Sequence, residues 1–194
     1  MNLSLTNYIP GSRAATELIN TSPDVRRIGG EALPDADALE HFLMSNGQPV
    51  MEARRDRRPN ASDLREVIAL RDRVRDVIDS PAPTAIERAN ALLADHAHEL
   101  ALTADYEGRW GWSVTTAPDA SIAHNLAVLV ASGILGTIQA LGSERLRSCA
   151  ADDCTGAFID TSRAGRRRYC SPGLCGNRAN VARYRTRQRG HADT

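Results

Sequence analysis

Lysine is absent from this sequence: all 24 of its basic residues are arginine. Aromatic residues are scarce as well, at 4% of 194 residues, and the C-terminal tail has Tyr169 and Tyr184 but no dense array of rings. Single-stranded nucleic acids are bound largely by stacking on aromatic side chains, so this scarcity disfavours them as a ligand. Arginine suits bidentate contacts with phosphates and base edges. A GC-rich genome would produce the same arginine usage.

Signatures of common enzymes are missing too. The chain has no phosphate-binding loop, no dinucleotide fingerprint and no serine nucleophile elbow, so we expect a protein that is not an enzyme. Residues 1–10 lack a basic region followed by an apolar run, from which we expect no export signal and a cytoplasmic location. The uncharged stretch 120–143 has apolar residues at helical spacing interrupted by polar ones, which predicts a buried central helix and no membrane span.

The net charge of zero conceals two parts of opposite sign. Residues 143–194 carry 11 Arg and five acidic residues, a net charge of +6, whereas residues 1–142 carry −6. A basic tail on an acidic body favours a polyanionic partner for the tail. We therefore divide the chain into two domains, 1–142 and 143–194.

The first domain is predicted to be mainly α-helical, because apolar residues recur at helical spacing in segments separated by Pro and Gly. Aromatic and β-branched residues around Gly108 predict one small β-hairpin, with Trp110 and Trp112 on the same face of a strand. Such a pair usually belongs to a core, and Asn20 by default closes the first helix. The alternative role for these three residues is to line a pocket for a small-molecule effector.

All four cysteines lie in the last 46 residues, with the spacing C-x4-C-x15-C-x4-C. Two short pairs separated by about 15 residues are typical of a structural zinc site with four thiolate ligands. The cysteines are Cys149, Cys154, Cys170 and Cys175. Two disulfides or four unrelated thiols are the alternatives, and disulfides suit a reducing compartment poorly. We expect one structural Zn²⁺.

The residues around these cysteines predict a small zinc-braced module. Phe158–Asp160 and Arg166–Tyr169 are interpreted as two strands of a β-hairpin, and residues 176–189 as a helix that starts at Cys175. The predicted fold is therefore a mainly α chain, with a helical N-terminal domain and a treble-clef-like hairpin and helix at the C-terminus.

The tail resembles a known zinc finger. The run Arg167–Ser171 and the run Cys175–Arg183 are similar to the CGNR zinc finger, which is named after the sequence at Cys175-Gly176-Asn177-Arg178. The segments Arg145–Cys149 and Phe158–Ser162 also match its pattern, although Tyr169 stands where Trp is usual. The body resembles the ABATE-type domain that precedes this finger, through Leu18-Ile19-Asn20-Thr21 and the helix around Leu39–Leu43. The resemblance implies a stress-linked bacterial transcription regulator that binds DNA.

The tail offers two kinds of candidate DNA contact. Exposed arginines of the hairpin and helix are expected to meet phosphates: Arg166, Arg167, Arg168, Arg183, Arg185, Arg187 and Arg189. Asn177, Arg178 and Asn180 lie at the start of the helix, where side chains are held well enough to read bases in the major groove. The alternative for Arg178 is a structural bond to a thiolate or carbonyl of the finger.

We therefore expect a regulator whose finger binds double-stranded DNA and whose body senses an effector or forms a homodimer. An adaptor whose basic finger docks an acidic partner is the first alternative, and an enzyme with a pocket in the body is the second. The basic helix could also simply fold against the acidic body.

Overall fold

A computed structural model describes residues 1–25, 29–53, 57–104 and 107–181. The helices are α1 (Ile9–Ile19), α2 (Ala36–Asn46), α3 (Gln48–Ala53), α4 (Ala61–Ile78), α5 (Ala82–Ala94) and α6 (Ile122–Leu141). The strands are β1 (Asn2–Ser4), β2 (Glu99–Ala104), β3 (Trp110–Thr115), β4 (Leu146–Ser148) and β5 (Ala157–Ile159). The predicted mainly α fold with a cysteine-rich C-terminal module is confirmed.

Side-chain caps set the start of several helices. The carboxylate of Asp35 accepts a hydrogen bond from the amide of Ala38 at the start of α2. Asn60 and Asp63 form a reciprocal capping box at the start of α4. Each such cap satisfies amide groups that the first turn of a helix leaves without a partner.

Helix α6 lies at the centre of the body and packs against α1, α4 and α5. It contacts α1 backbone to backbone, since a Cβ added to Gly133 would lie only 2.3 Å from the carbonyl carbon of Gly11. The hydroxyl of Ser12 joins the two helices by a 2.9 Å bond to the Gly133 carbonyl. Among the described residues α6 is the one helix long and apolar enough to cross a bilayer, but 72% of that stretch is buried inside the protein. The prediction of a buried central helix is confirmed.

The predicted hairpin of β2 and β3 is present, and β1, which the sequence did not indicate, adds a third antiparallel strand in the order β1-β3-β2. Trp110 and Trp112 lie on the same face of β3 as predicted, yet they are 71% and 55% exposed. The expectation that this pair belongs to a core is therefore wrong, because the end of the hairpin extends beyond the helices that would cover it.

The C-terminal hairpin differs from the predicted one. Strand β5 pairs with β4, so that Ile159 lies opposite Leu146, and residues 166–169 do not form a regular strand. Both Ala157 and Ile159 are buried in the same apolar cluster as α1, α4 and α6. The body and the cysteine-rich module thus share one core.

Candidate metal centre and basic face

The four cysteines converge on one point. Cys149 follows β4 and Cys154 ends the turn after it. Cys170 precedes the helical turn Pro172–Gly176, and Cys175 lies within that turn. Their Sγ atoms all lie within 4.8 Å of one another. The three distances among Cys154, Cys170 and Cys175 are each 3.6 Å. A disulfide would require about 2.05 Å, so the cysteines are unpaired thiols.

This spacing fits a tetrahedral metal site. With Zn–S bonds of about 2.3 Å, the sulfurs of a tetrahedron lie roughly 3.8 Å apart, close to the 3.6 Å observed. Four thiolates fill the coordination shell of Zn²⁺ and leave no open position for water, so such a site is structural. The predicted cofactor, one structural zinc ion, is confirmed as a fit to these residues.

Neighbouring N–H groups support negative charge on the sulfurs. The amide of Cys170 donates to Cys149 Sγ at 3.4 Å, and the amide of Gly156 donates to Cys154 Sγ at 3.3 Å. Burial raises the pKa of Cys149, but hydrogen bonds from the Cys170 and Ala151 amides outweigh it and hold the pKa below its ordinary value. Burial, and then the neighbouring Cys175 thiol, raises the pKa of Cys170. A divalent cation is what stabilises four thiolates in one such cluster.

A buried carboxylate, Asp160, organises the rest of the module. Its fully buried side chain accepts hydrogen bonds from the amide and hydroxyl of Ser162, from the amide of Arg167 and from Arg147. Burial raises the pKa of Asp160, but the Ser162 and Arg167 hydrogen bonds more than offset it and lower the pKa. The sequence analysis gave neither Asp160 nor Arg147 a role. The signal that could have found Arg147 was an Arg on the strand preceding the first cysteine.

Asn20 lies beside the cysteines and not beside the tryptophans. It closes α1, which confirms the default expectation. Its Nδ2 donates to the carbonyls of Thr16 and Ala157, at 2.6 and 2.7 Å. A Cβ on Gly156 would meet Asn20 Oδ1 at 2.7 Å and Cys170 Sγ at 2.8 Å. Asn20, Trp110 and Trp112 therefore do not line one pocket, because α1 directs Asn20 towards the cysteine cluster.

Both halves of the chain match known families. Residues 12–133 match the family described as "Putative stress-induced transcription regulator" (ABATE), and residues 145–188 match the CGNR zinc finger. The chain belongs to the ABATE family and carries a C-terminal CGNR zinc finger. No curated protein matches the sequence.

Within the CGNR finger, the arginines divide into engaged and outward-facing side chains. Arg167 donates to the carbonyls of Tyr169 and Cys170, and its guanidinium lies 4.7 Å from the centre of the Phe158 ring. Arg166 and Arg168 are exposed. The structure thus separates three neighbouring arginines that the sequence presented as one charged run.

The candidate base-reading residues lie after Cys175. Asn177 Nδ2 donates to the carbonyl of Gly173 at 2.8 Å, and Arg178 Nη2 lies 3.5 Å from Cys175 Sγ. Asn180 is exposed on the same turn of helix. Four further candidate phosphate contacts lie outside the described residues: Arg183, Arg185, Arg187 and Arg189.

Proposed function

We propose that this protein is a bacterial, cytoplasmic, non-enzymatic transcription regulator that binds double-stranded DNA through its CGNR finger. The observation that carries the proposal is the exposure of Arg166 and Arg168 on a segment fixed at Cys170 by the metal centre. Cations held on a rigid scaffold bind phosphates without first losing the entropy of a mobile chain. The +6 charge of residues 143–194 supports the same partner.

The proposal assigns different tasks to the arginines of the finger. Arg167 is engaged with carbonyls and the Phe158 ring, and Arg147 donates to Asp160 and to the carbonyls of Gly165 and Arg167. We assign both to the fold of the finger. Arg166 and Arg168 are assigned to phosphates, which positions the finger on a duplex of any sequence.

Effector sensing is a second part of the proposal, supported by a cleft at the junction of body and finger. This cleft, of about 630 Å³, is lined by Ile19, Arg71, Arg75 and Thr155, among others. Thr155 lies between the zinc ligand Cys154 and Gly156, and its carbonyl accepts a 2.6 Å hydrogen bond from Arg75. A ligand in this cleft would therefore contact both the body and the zinc-bearing turn.

The test is binding of the zinc-loaded chain to a random-sequence duplex across a salt series. We expect affinity to fall steeply with salt, since counterion release dominates non-specific DNA binding. We also expect affinity to be lost after chelation of zinc. A double variant, Arg166→Ala with Arg168→Ala, should reduce the magnitude of the salt slope by about two. Arg58→Ala, which removes an exposed charge from the body, is the matched control and should bind like wild type.

Affinity that depends on neither zinc nor salt would overturn the proposal. Binding of the finger to an acidic peptide, with no measurable binding to duplex, would favour the adaptor instead.

A further inference from the structure

One face of the small sheet is an exposed apolar surface. Leu100, Leu102, Trp110 and Trp112, which we call the tryptophan patch, are 60%, 51%, 71% and 55% exposed. In the antiparallel register Leu102 lies opposite Trp112, and Leu100 lies opposite Val114. Because residues opposite one another point to the same side of a sheet, the four side chains form one continuous patch.

The other end of the same face is covered. Val114 is 3% exposed, and Leu3, which pairs with it, packs against the core of the body. The opposite face is polar, with the hydroxyls of Thr103 and Ser113 bonded to each other at 3.0 Å. The sheet therefore has a single apolar face, half of which covers the body while the other half extends into solvent.

A groove lies next to the patch. It measures about 530 Å³ and runs between the sheet and α6, with a lining that includes Leu5, Tyr8, Leu100, Trp112, Gly136 and Ala140. Trp110, two residues before the groove-lining Trp112 and on the same face of β3, is the most exposed large apolar side chain of the described residues. A protruding ring and an apolar groove thus lie side by side on one surface, which is the arrangement that a two-fold axis makes self-complementary.

We infer that two copies of this chain associate face to face through the tryptophan patch, with Trp110 of each copy in the groove of the other. The four side chains expose on the order of 500 Å². A standard interface buries roughly 800 Å² per partner, so the patch supplies more than half of the area that a stable dimer needs and the adjoining groove adds to it.

The charge around the patch favours a second copy over other occupants. The four patch residues are uncharged, and at the hairpin end Arg109 is paired with Glu107. Nucleic acids and anionic membranes both call for unpaired cations around such a surface. The dimer does not depend on the proposed DNA binding, although two fingers related by a two-fold axis would suit a palindromic site.

The experiment is sedimentation equilibrium of the zinc-loaded full chain, without DNA, over a concentration series. Trp110 and Trp112 are the only tryptophans of the chain, so tryptophan emission reports on the patch alone. We expect a monomer–dimer equilibrium and a shift of emission to shorter wavelength as the dimer forms. Salt should strengthen the dimer, because it screens the −6 charge of each body. Salt should have the opposite effect on the proposed DNA binding and weaken it.

Trp110→Ser and Leu102→Ser should each raise the dimer dissociation constant about tenfold or more, since central aromatic and apolar anchors dominate interfaces. Met44→Ser is the control, because Met44 is 63% exposed on α2, outside the patch. Wild-type protein that stays monomeric overturns the inference, as does a dimer that both patch variants leave intact. A wavelength shift of monomeric protein on lipid vesicles would reassign the patch to a membrane.

Discussion

The Nδ2 atom of Asn20 donates a 2.7 Å hydrogen bond to the carbonyl oxygen of Ala157, a residue 137 positions later in the chain. This bond joins the end of α1 to β5, which begins three residues after the zinc ligand Cys154. A second bond, from the Ile159 amide to Thr16 Oγ1 at 3.0 Å, runs parallel to it. Two side-chain hydrogen bonds therefore fix the C-terminal end of α1 to the backbone of the finger strand β5.

Replacement of Asn20 should weaken this junction. Asn20→Ala removes both hydrogen bonds of Nδ2, and we expect the free energy of unfolding to fall by about 1–3 kcal/mol. Asn20→Asp should cost more, because a carboxylate would face two carbonyl oxygens with no proton to donate. Asn46→Ala is a suitable control, since among the described residues the side chain of Asn46 bonds within α2, to the carbonyl of Phe42. Urea unfolding measures all three, and an Asn20→Asp variant as stable as wild type would contradict this view of the junction.

Zinc removal should destabilise the whole chain and not the finger alone. Metal analysis should give one Zn²⁺ per chain, and any single Cys→Ser variant at Cys149, Cys154, Cys170 or Cys175 should lose it. Because Ala157 and Ile159 lie in the core of the body, loosening of the finger also exposes apolar surface of α1. We expect chelation to lower the thermal midpoint measured by the helical circular dichroism signal. A helical transition that chelation leaves unchanged would show that the body folds independently.

The zinc ligands could be predicted from the sequence because their spacing alone carries the signal. The partner of β5 could not be predicted. Arg166–Tyr169 is a credible partner strand for Phe158–Asp160, but β5 pairs with β4, and that choice depends on how β5 packs against α1. The prediction that Trp110 belongs to the core was wrong for a similar reason. Alternation along a strand reveals that two residues share a face, but not whether a helix extends far enough to cover that face.

A histidine pair in the body should make stability depend on pH. The rings of His96 and His124 lie 4.5 Å apart, and Arg73 Nη1 lies 3.3 Å from His96 Nε2. Burial, followed by the positive charges of His124 and Arg73, lowers the pKa of His96 below its ordinary 6.5. The folded protein then binds this proton less readily than the unfolded chain, so the stability present above pH 6.5 is lost as the pH falls below it.

Thermal unfolding at a series of pH values tests this dependence. His96→Gln should flatten the fall in stability just below pH 6.5, since it removes the group whose protonation the fold opposes. His41→Gln removes a histidine from the exposed face of α2 and should leave the profile as in wild type. An unchanged profile in His96→Gln would assign the dependence to other groups.

The last prediction separates structure from recognition within the finger. Arg178 Nη2 lies 3.5 Å from Cys175 Sγ, and a charged N–H donor to a zinc thiolate holds its ligand in place. Arg168 is exposed, with its guanidinium 5.9 Å from the centre of the Tyr169 ring. We expect Arg178→Ala to lose zinc to a chelator faster than wild type, and Arg168→Ala to keep zinc like wild type. Arg168→Ala should instead bind all duplexes more weakly and lower the magnitude of the salt slope by about one.

Arg178→Lys refines the comparison, because lysine keeps the charge but loses the planar guanidinium. If Arg178 braces the zinc site, the lysine variant should retain zinc better than the alanine variant, and both should bind preferred and random duplexes in the wild-type ratio. If Arg178 reads a base instead, both variants should hold zinc normally and lose about 1–3 kcal/mol of preference at one base pair. The two roles differ in which measurement changes, zinc transfer or sequence preference, so one pair of variants decides between them.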